Sequence, residues 1–156
     1  VFTRSQFNTG AFGGHIVKST IDNVVKLKLV VFTRNSDGKW NQGVEFPYND
    51  PTVSYAHPTF SNDGKTLFFS SDRSGGLGGT DIWKCVINAD GTFGAPENLG
   101  ETINTAGQEM FPFVDKNNTL YFSSNGKPSI FVVGSLLPPE IMPLTSLHGA
   151  KIQSNL

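Results

Sequence analysis

Two stretches of the chain, His57 to Asp72 (HPTFSNDGKTLFFSSD) and Phe111 to Asn125 (FPFVDKNNTLYFSSN), spell nearly the same pattern. Leu67-Phe68-Phe69-Ser70-Ser71-Asp72 lies over Leu120-Tyr121-Phe122-Ser123-Ser124-Asn125 at an offset of 53 (120 minus 67). Asn35-Ser36-Asp37-Gly38-Lys39-Trp40 lies over Asn88-Ala89-Asp90-Gly91-Thr92-Phe93 at the same offset (88 minus 35), while Pro58 precedes Pro112 by 54 because the later copy has gained one residue. Two independent landmarks with one period mark a repeat architecture: a solenoid, a propeller or an array.

The contents of one unit choose among these. Ser54 to Phe60 reads as a strand, Asn62-Asp63-Gly64 as a tight turn whose glycine takes the positive φ of a hairpin, and Thr66 to Ser71 as a second strand. After the Gly-rich stretch Ser74 to Gly79, Asp81 to Asn88 makes a third strand, Ala89-Asp90-Gly91 turns the chain, and Phe93 to Leu99 returns as a short edge strand that tolerates Pro96. Leu67-Phe68-Phe69 and Trp83-Lys84-Cys85-Val86-Ile87 set bulky residues side by side, so both faces of this sheet are apolar. A small sheet apolar on both faces must lie between neighbours. Four antiparallel strands per unit stacked on further units predict an all-β, partial β-propeller of about two and a half blades. The units run roughly over 1–50, 54–104 and 108–127, so 1–127 is read as the propeller fragment. Phe2-Thr3-Arg4 and Lys26 to Thr33 are expected as the second and third strands of the first unit, with a longer loop through Gly13-Gly14 between them.

Composition limits the partners. Charged residues make up 16% of the sequence and the formal net charge is −1, so no basic face exists to neutralise a run of phosphates, and nucleic acid is excluded as an expected partner. No apolar run approaches the roughly 20 residues of a spanning helix, so direct membrane insertion is not expected. The single cysteine, Cys85, rules out an intramolecular disulfide and reads as a buried free thiol.

The repeated words resemble the WD-repeat-like β-propeller family of bacterial periplasmic proteins, which includes the TolB-like propellers and the OmpA-family proteins of Bacteroidetes. The resemblance is carried by His57-Pro58-Thr59-Phe60-Ser61-Asn62-Asp63-Gly64-Lys65, by Leu67 to Arg73, by Gly75-Gly76-Leu77-Gly78-Gly79-Thr80-Asp81-Ile82-Trp83, by Pro96 to Gly100, by Ile103-Asn104-Thr105 and by Glu109 to Phe113. It implies a propeller embedded in a longer envelope protein, in the periplasm and associated with the outer membrane, with some relatives in type IX secretion. The implied role is non-catalytic: binding or scaffolding through protein or peptidoglycan-associated partners, with neighbouring blades outside this chain. The alternative is the propeller portion of an enzyme, a glycosidase or the gating domain of a serine peptidase, for which Glu109 and Asp115 are the nearest carboxylates. After Pro128 the family pattern would continue with another Gly-rich loop and another Asp-Ile-aromatic strand, but the sequence reads SIFVVGSLLPPEIMPL and onward. Residues 128–156 are therefore read as a divergent tail, non-native or disordered, with Ser129 to Val133 expected to be extended.

Candidate chemistry is sparse. Gly75-Gly76-Leu77-Gly78-Gly79 lacks the Gly-Lys-Ser/Thr and helix of a phosphate loop and reads as a hairpin connection. Asp72, Arg73 and Asp81 flank it, and an ion pair across its stems is expected. Asp37, Asp63 and Asp90 lie in turns where a carboxylate accepts nearby backbone N–H groups. Neither the acids nor His15, His57 and His148 show metal-ligand spacing, so no metal, cofactor or catalytic residue is expected. Trp40 aligns with Phe93 and is expected to share its packing role at the blade rim. Candidate ligand contacts are Tyr55, His57, Arg73 and Asp81.

Overall fold

The computed structural model describes residues 24–126 in full, together with the backbone of four strands outside that range. All regular elements among the described residues are strands. The first sheet contains β1 (Phe2–Ser5), β4 (Leu27–Val31) and β5 (Val44–Glu45) in the order β1-β4-β5, and β2 (Phe7–Asn8) pairs with β3 (His15–Ile16) in a separate ribbon. The second sheet is a four-stranded antiparallel meander of β6 (Tyr55–Phe60), β7 (Thr66–Ser71), β8 (Asp81–Val86) and β9 (Glu97–Asn98), neighbours in space as in sequence. The third joins β10 (Glu109–Val114), β11 (Leu120–Ser124) and β12 (Phe131–Val133). Of the stretch read as a tail, β12 is therefore extended as expected; residues 134–156, His148 and the loop through Gly13-Gly14 lie outside the described residues.

β9 is shorter than the expected Phe93 to Leu99. Pro96 has no N–H to give, and the backbone instead follows the edge of β8 through single bonds, Gly94 N–H to the Val86 carbonyl at 2.8 Å and Leu99 N–H to the Ile82 carbonyl at 3.2 Å.

Adjacent bulky residues serve opposite faces, because side chains along a strand alternate. Leu67, Phe69, Trp83 and Cys85 meet Leu29, Phe46 and Tyr55 on the side of the first sheet. Phe68 and Ile82 point the other way and meet Ile103, Val114, Leu120 and Phe122 against the third sheet. The middle sheet thus has a core on each face. At about 1.5–3 kcal/mol for each large apolar side chain fully buried, these two layers are the main favourable term in the fold.

The turns repeat as well. Gly38, Gly64 and Gly91 take φ of +76°, +68° and +82°, and Asn118 takes the corresponding place in the third sheet at φ +59°. Asn tolerates this left-handed conformation better than most side chains. Asp63 accepts the Lys65 N–H at 3.0 Å and Asp90 the Thr92 N–H at 3.0 Å, as expected. In the first of these turns Asn35, rather than Asp37, does the accepting, from Lys39 N–H at 2.8 Å. These bonds hold the Asp63 and Asp90 carboxyls below the usual carboxylate range, with side-chain bonds from Ser61 and Thr92 contributing most. Asp72 Oδ1 accepts the N–H of Ser54 at 2.6 Å, and Asn125 Oδ1 accepts the N–H of Gln108 at 2.6 Å: one closure of the first two strands, made twice.

The seam between second and third sheets is continuous. Gly79 N–H donates to the Gly107 carbonyl at 2.7 Å, and Glu109 N–H to the Thr80 carbonyl at 2.6 Å, with Thr80 and Gln108 bridged in parallel.

Candidate ligand-binding site at the paired bulges

β6 and β10 are the first strands of their sheets and share one irregularity. In β6 the pairing steps from Ala56 opposite Ser70 to Thr59 opposite Phe68, three residues against two. In β10 it steps from Met110 opposite Ser123 to Phe113 opposite Tyr121, again three against two. Each is a β-bulge, and each holds a non-glycine residue in the left-handed region before a proline: His57 at φ +51° and Phe111 at φ +56°. Bulges re-aim a side chain, and positive φ at a non-glycine residue costs of order 1–3 kcal/mol, which the surrounding ladder must offset.

The two bulges turn their rings toward each other. The His57 imidazole and the Phe111 phenyl have centroids 4.0 Å apart with planes at 38°, close enough for offset stacking. His57 Nδ1 lies 3.4 Å from Ser70 Oγ, and burial lowers its pKa below the ordinary histidine value, favouring the neutral ring. Phe111 remains 58% exposed. Beside the pair opens a cavity of about 210 Å³, with Ser54, His57, Ser70, Asp72, Thr80 and Met110 in its walls. It meets the three sheets at the ends of their strands. Its one wall carboxylate is balanced, since Asp72 Oδ2 lies 3.2 Å from Lys26 Nζ while Oδ1 holds Ser54. A mostly apolar cavity, walled also by Leu27 and Ala56 and edged by hydroxyls, a neutral imidazole and a compensated acid, suits a ligand without strong charge.

The other expected contacts go elsewhere. Tyr55 is 2% exposed and edges onto Phe46 and Phe69, so its ring serves the core and not a surface. The ion pair expected across the stems of the Gly-rich loop does not form. Asp72 reaches Lys26 in the first unit instead; Arg73 lays its guanidinium over Trp83, 4.9 Å from the ring centroid; Asp81 is buried and accepts Leu77 N–H at 2.5 Å and Asn98 Nδ2 at 2.9 Å. The guanidinium is held by the face of an indole and the Asp81 carboxylate by local amide donors in place of a pair across the stem. Arg73 Nε and Nη1, Trp83 Nε1 and Asp81 Oδ1 are buried without hydrogen-bond partners.

Glu109 and Asp115, the two carboxylates considered for an enzyme, do not converge on a cleft. Glu109 is fully buried, accepting Thr105 N–H at 2.9 Å, Thr105 Oγ1 at 2.7 Å and the Ser124 hydroxyl. Asp115 Oδ1 accepts the N–H groups of Asn117 and Thr119 in its turn. No group of three or more His, Cys, Asp or Glu placed to hold a metal exists among the described residues. Cys85 is buried, and desolvation pushes its thiol up to about 12. Trp40 departs from its partner in the alignment: Phe93 packs on Phe46 with centroids 5.2 Å apart, whereas Trp40 is 63% exposed beneath the Arg34 guanidinium.

Phe111 and Ser70 were not legible as site residues. The available signal was a ring-bearing residue before proline in both copies, His57-Pro58 and Phe111-Pro112. No family model, curated protein or solved structure matches this protein.

Proposed function

We propose that this protein is part of a β-propeller that works as a non-catalytic binding and scaffolding module of a cell-envelope protein, with the inner edge at His57 and Phe111 as its ligand surface. The observation that carries this reading is the bulge made twice: two sheets give up ladder regularity at one equivalent position, and both turn a ring onto the same edge. Retained strain of this kind belongs to binding and functional surfaces more than to plain scaffolding. Stacked sheets of one repeat, with first strands side by side, suit a ring in which that edge faces a channel.

The third sheet supports continuation of the stack. Phe113 and Tyr121 occupy in it the places that Thr59 and Phe68 occupy in the second, by their pairing registers. Phe68 is covered by the third sheet, whereas its equivalent Tyr121 is only half-buried and the residue paired with it, Phe113, is 59% exposed. A further sheet of the same repeat is the occupant with matching chemistry. The envelope setting rests on the repeated words and their resemblance to periplasmic propellers.

The test is co-sedimentation of the purified full-length protein with isolated cell-wall sacculi, alongside cross-linking to fractionated envelope proteins. Saturable binding to one of these, weakened at least roughly tenfold by Phe111→Ala without a change in Tm, is the expected result, an exposed aromatic anchor being worth that much. Saturable binding indifferent to both Phe111→Ala and His57→Ala would remove the inner edge from the proposal. Turnover of a glycoside or peptide substrate by the protein would overturn the non-catalytic reading.

A further inference from the structure

Asn125-Gly126 is the only Asn-Gly pair in the sequence, and packing dictates both residues. A side chain at position 126 would overlap the hydroxyl and Cβ of Thr105, so glycine is required there. Position 125 needs a short acceptor, because its Oδ1 takes the N–H of Gln108 at 2.6 Å while its own N–H donates to the Gln108 carbonyl at 3.2 Å. The equivalent residue of the preceding repeat is Asp72, which takes the N–H of Ser54 in the same way. Either Asn or Asp meets the geometry, and this protein has the amide. Both residues lie exposed in the bend that follows β11.

We infer that Asn125 is a site of hydrolytic modification, of whose two products aspartate preserves the seam between the second and third sheets and isoaspartate weakens it. In the reaction the backbone nitrogen of Gly126 attacks Cγ of Asn125; a new bond forms between that nitrogen and Cγ, the bond from Cγ to Nδ2 breaks, and ammonia leaves with the proton from the Gly126 nitrogen. Water then opens the cyclic imide. Cleavage between the nitrogen and Cγ leaves aspartate with the backbone intact, whereas cleavage at the α-carbonyl leaves isoaspartate, with an extra methylene in the backbone. No electrons are exchanged.

The fold holds both reacting groups back. Gly126 N–H is engaged by Ser124 Oγ at 3.1 Å, and the Asn125 carboxamide by Gln108. Attack requires local opening that breaks both bonds, so conversion in the folded protein is at least roughly tenfold slower than in the unfolded one. The aspartate product reproduces the closure that Asp72 makes. The isoaspartate product moves the carboxylate away from Gln108, the residue bridged to Thr80 at the seam.

The experiment is incubation of the full-length protein at pH 8 and 37 °C, folded and in urea, followed by peptide mapping by mass spectrometry and enzymatic methylation of isoaspartate. Expected are a one-dalton gain at residue 125, appearing at least roughly tenfold faster in urea, a Tm for Asn125→Asp within error of the parent, and a lowered Tm for isoaspartate-enriched protein refolded from urea. Absence of the mass gain in urea, equal rates folded and unfolded, or refolded isoaspartate-bearing protein that melts with the parent, each overturns the inference. The outcome is independent of any ligand at the inner edge.

Discussion

The side-chain amide of Asn104 closes on the backbone of Ile82 from both sides, its Oδ1 accepting the Ile82 N–H at 2.8 Å and its Nδ2 donating to the Ile82 carbonyl at 3.0 Å. Asn49 grips Leu29 the same way, at 3.1 Å and 2.8 Å. Leu29 and Ile82 are equivalent, 53 apart (82 minus 29) in the third strand of successive units. Each clamp ties the segment that leads to the next unit onto the sheet just completed, so the repeat extends to its joints.

Asn104→Ala should destabilise the fold by about 2–3 kcal/mol, since it strands the buried N–H of Ile82 and removes the amide bond to Asn98, while the Ile82 carbonyl keeps the Leu99 N–H. Asn49→Ala should cost less, roughly 1–2 kcal/mol, because Asn49 is only half-buried and water can take over. Urea unfolding of the two variants measures the difference; equal costs would mean that the clamps are not energetically distinct.

Phe68 and Tyr121 test the layering. Phe68, 2% exposed beneath the third sheet, should lose about 3–5 kcal/mol on truncation to Ala. Tyr121, equivalent in register, faces outward and donates its hydroxyl to Asp115 Oδ2 at 3.3 Å; Tyr121→Ala should cost about 1 kcal/mol or less. A large loss at Tyr121 in the isolated protein would show that its face is already covered.

Gly78 lies where the Gly-rich loop crosses to the third sheet, and a Cβ there would overlap the carbonyl oxygens of Thr105 and Gly107. Gly78→Ala should therefore lower stability by about 1–3 kcal/mol, with the loss of protection in hydrogen exchange centred on the amides of Gly79 and Glu109.

Stability should also depend on pH through the half-buried His57 and the buried Cys85. Burial lowers the His57 pKa, so the unfolded state binds the proton more readily, and stability falls as pH drops from neutrality through 6.5 toward the folded value. His57→Gln should flatten that limb. The Cys85 thiol ionises near 9 when unfolded and about 12 when folded. Stability should then decline between those values as pH rises, with a slope approaching about 1.4 kcal/mol per pH unit from this group. Cys85→Ala should abolish that component in urea titrations at pH 9 and pH 10.5.

Much of the second sheet was legible because its signals are local. Asn62-Asp63-Gly64 and Ala89-Asp90-Gly91 mark turns by conformational necessity, and Leu67-Phe68-Phe69 announces two apolar faces. The candidate site was legible only at His57. Tyr55 looked like a contact because nothing in the adjacent residues reveals Phe46, which buries it, and Phe111 gave no sign of its stacking partner 54 residues away (111 minus 57).

What the sequence alone determined is the repeated antiparallel unit and the need to cover both its faces, because turn conformations, strand alternation and consecutive bulky residues act within a few positions of one another. The tertiary structure decided which partners meet. Asp72 chooses Lys26 over Arg73, Arg73 settles on Trp83, Asp81 takes amide donors, and two bulges bring His57 to Phe111. Such choices depend on distances between sheets, and those are set only when the whole stack closes and each charge or ring finds the neighbour that best replaces water.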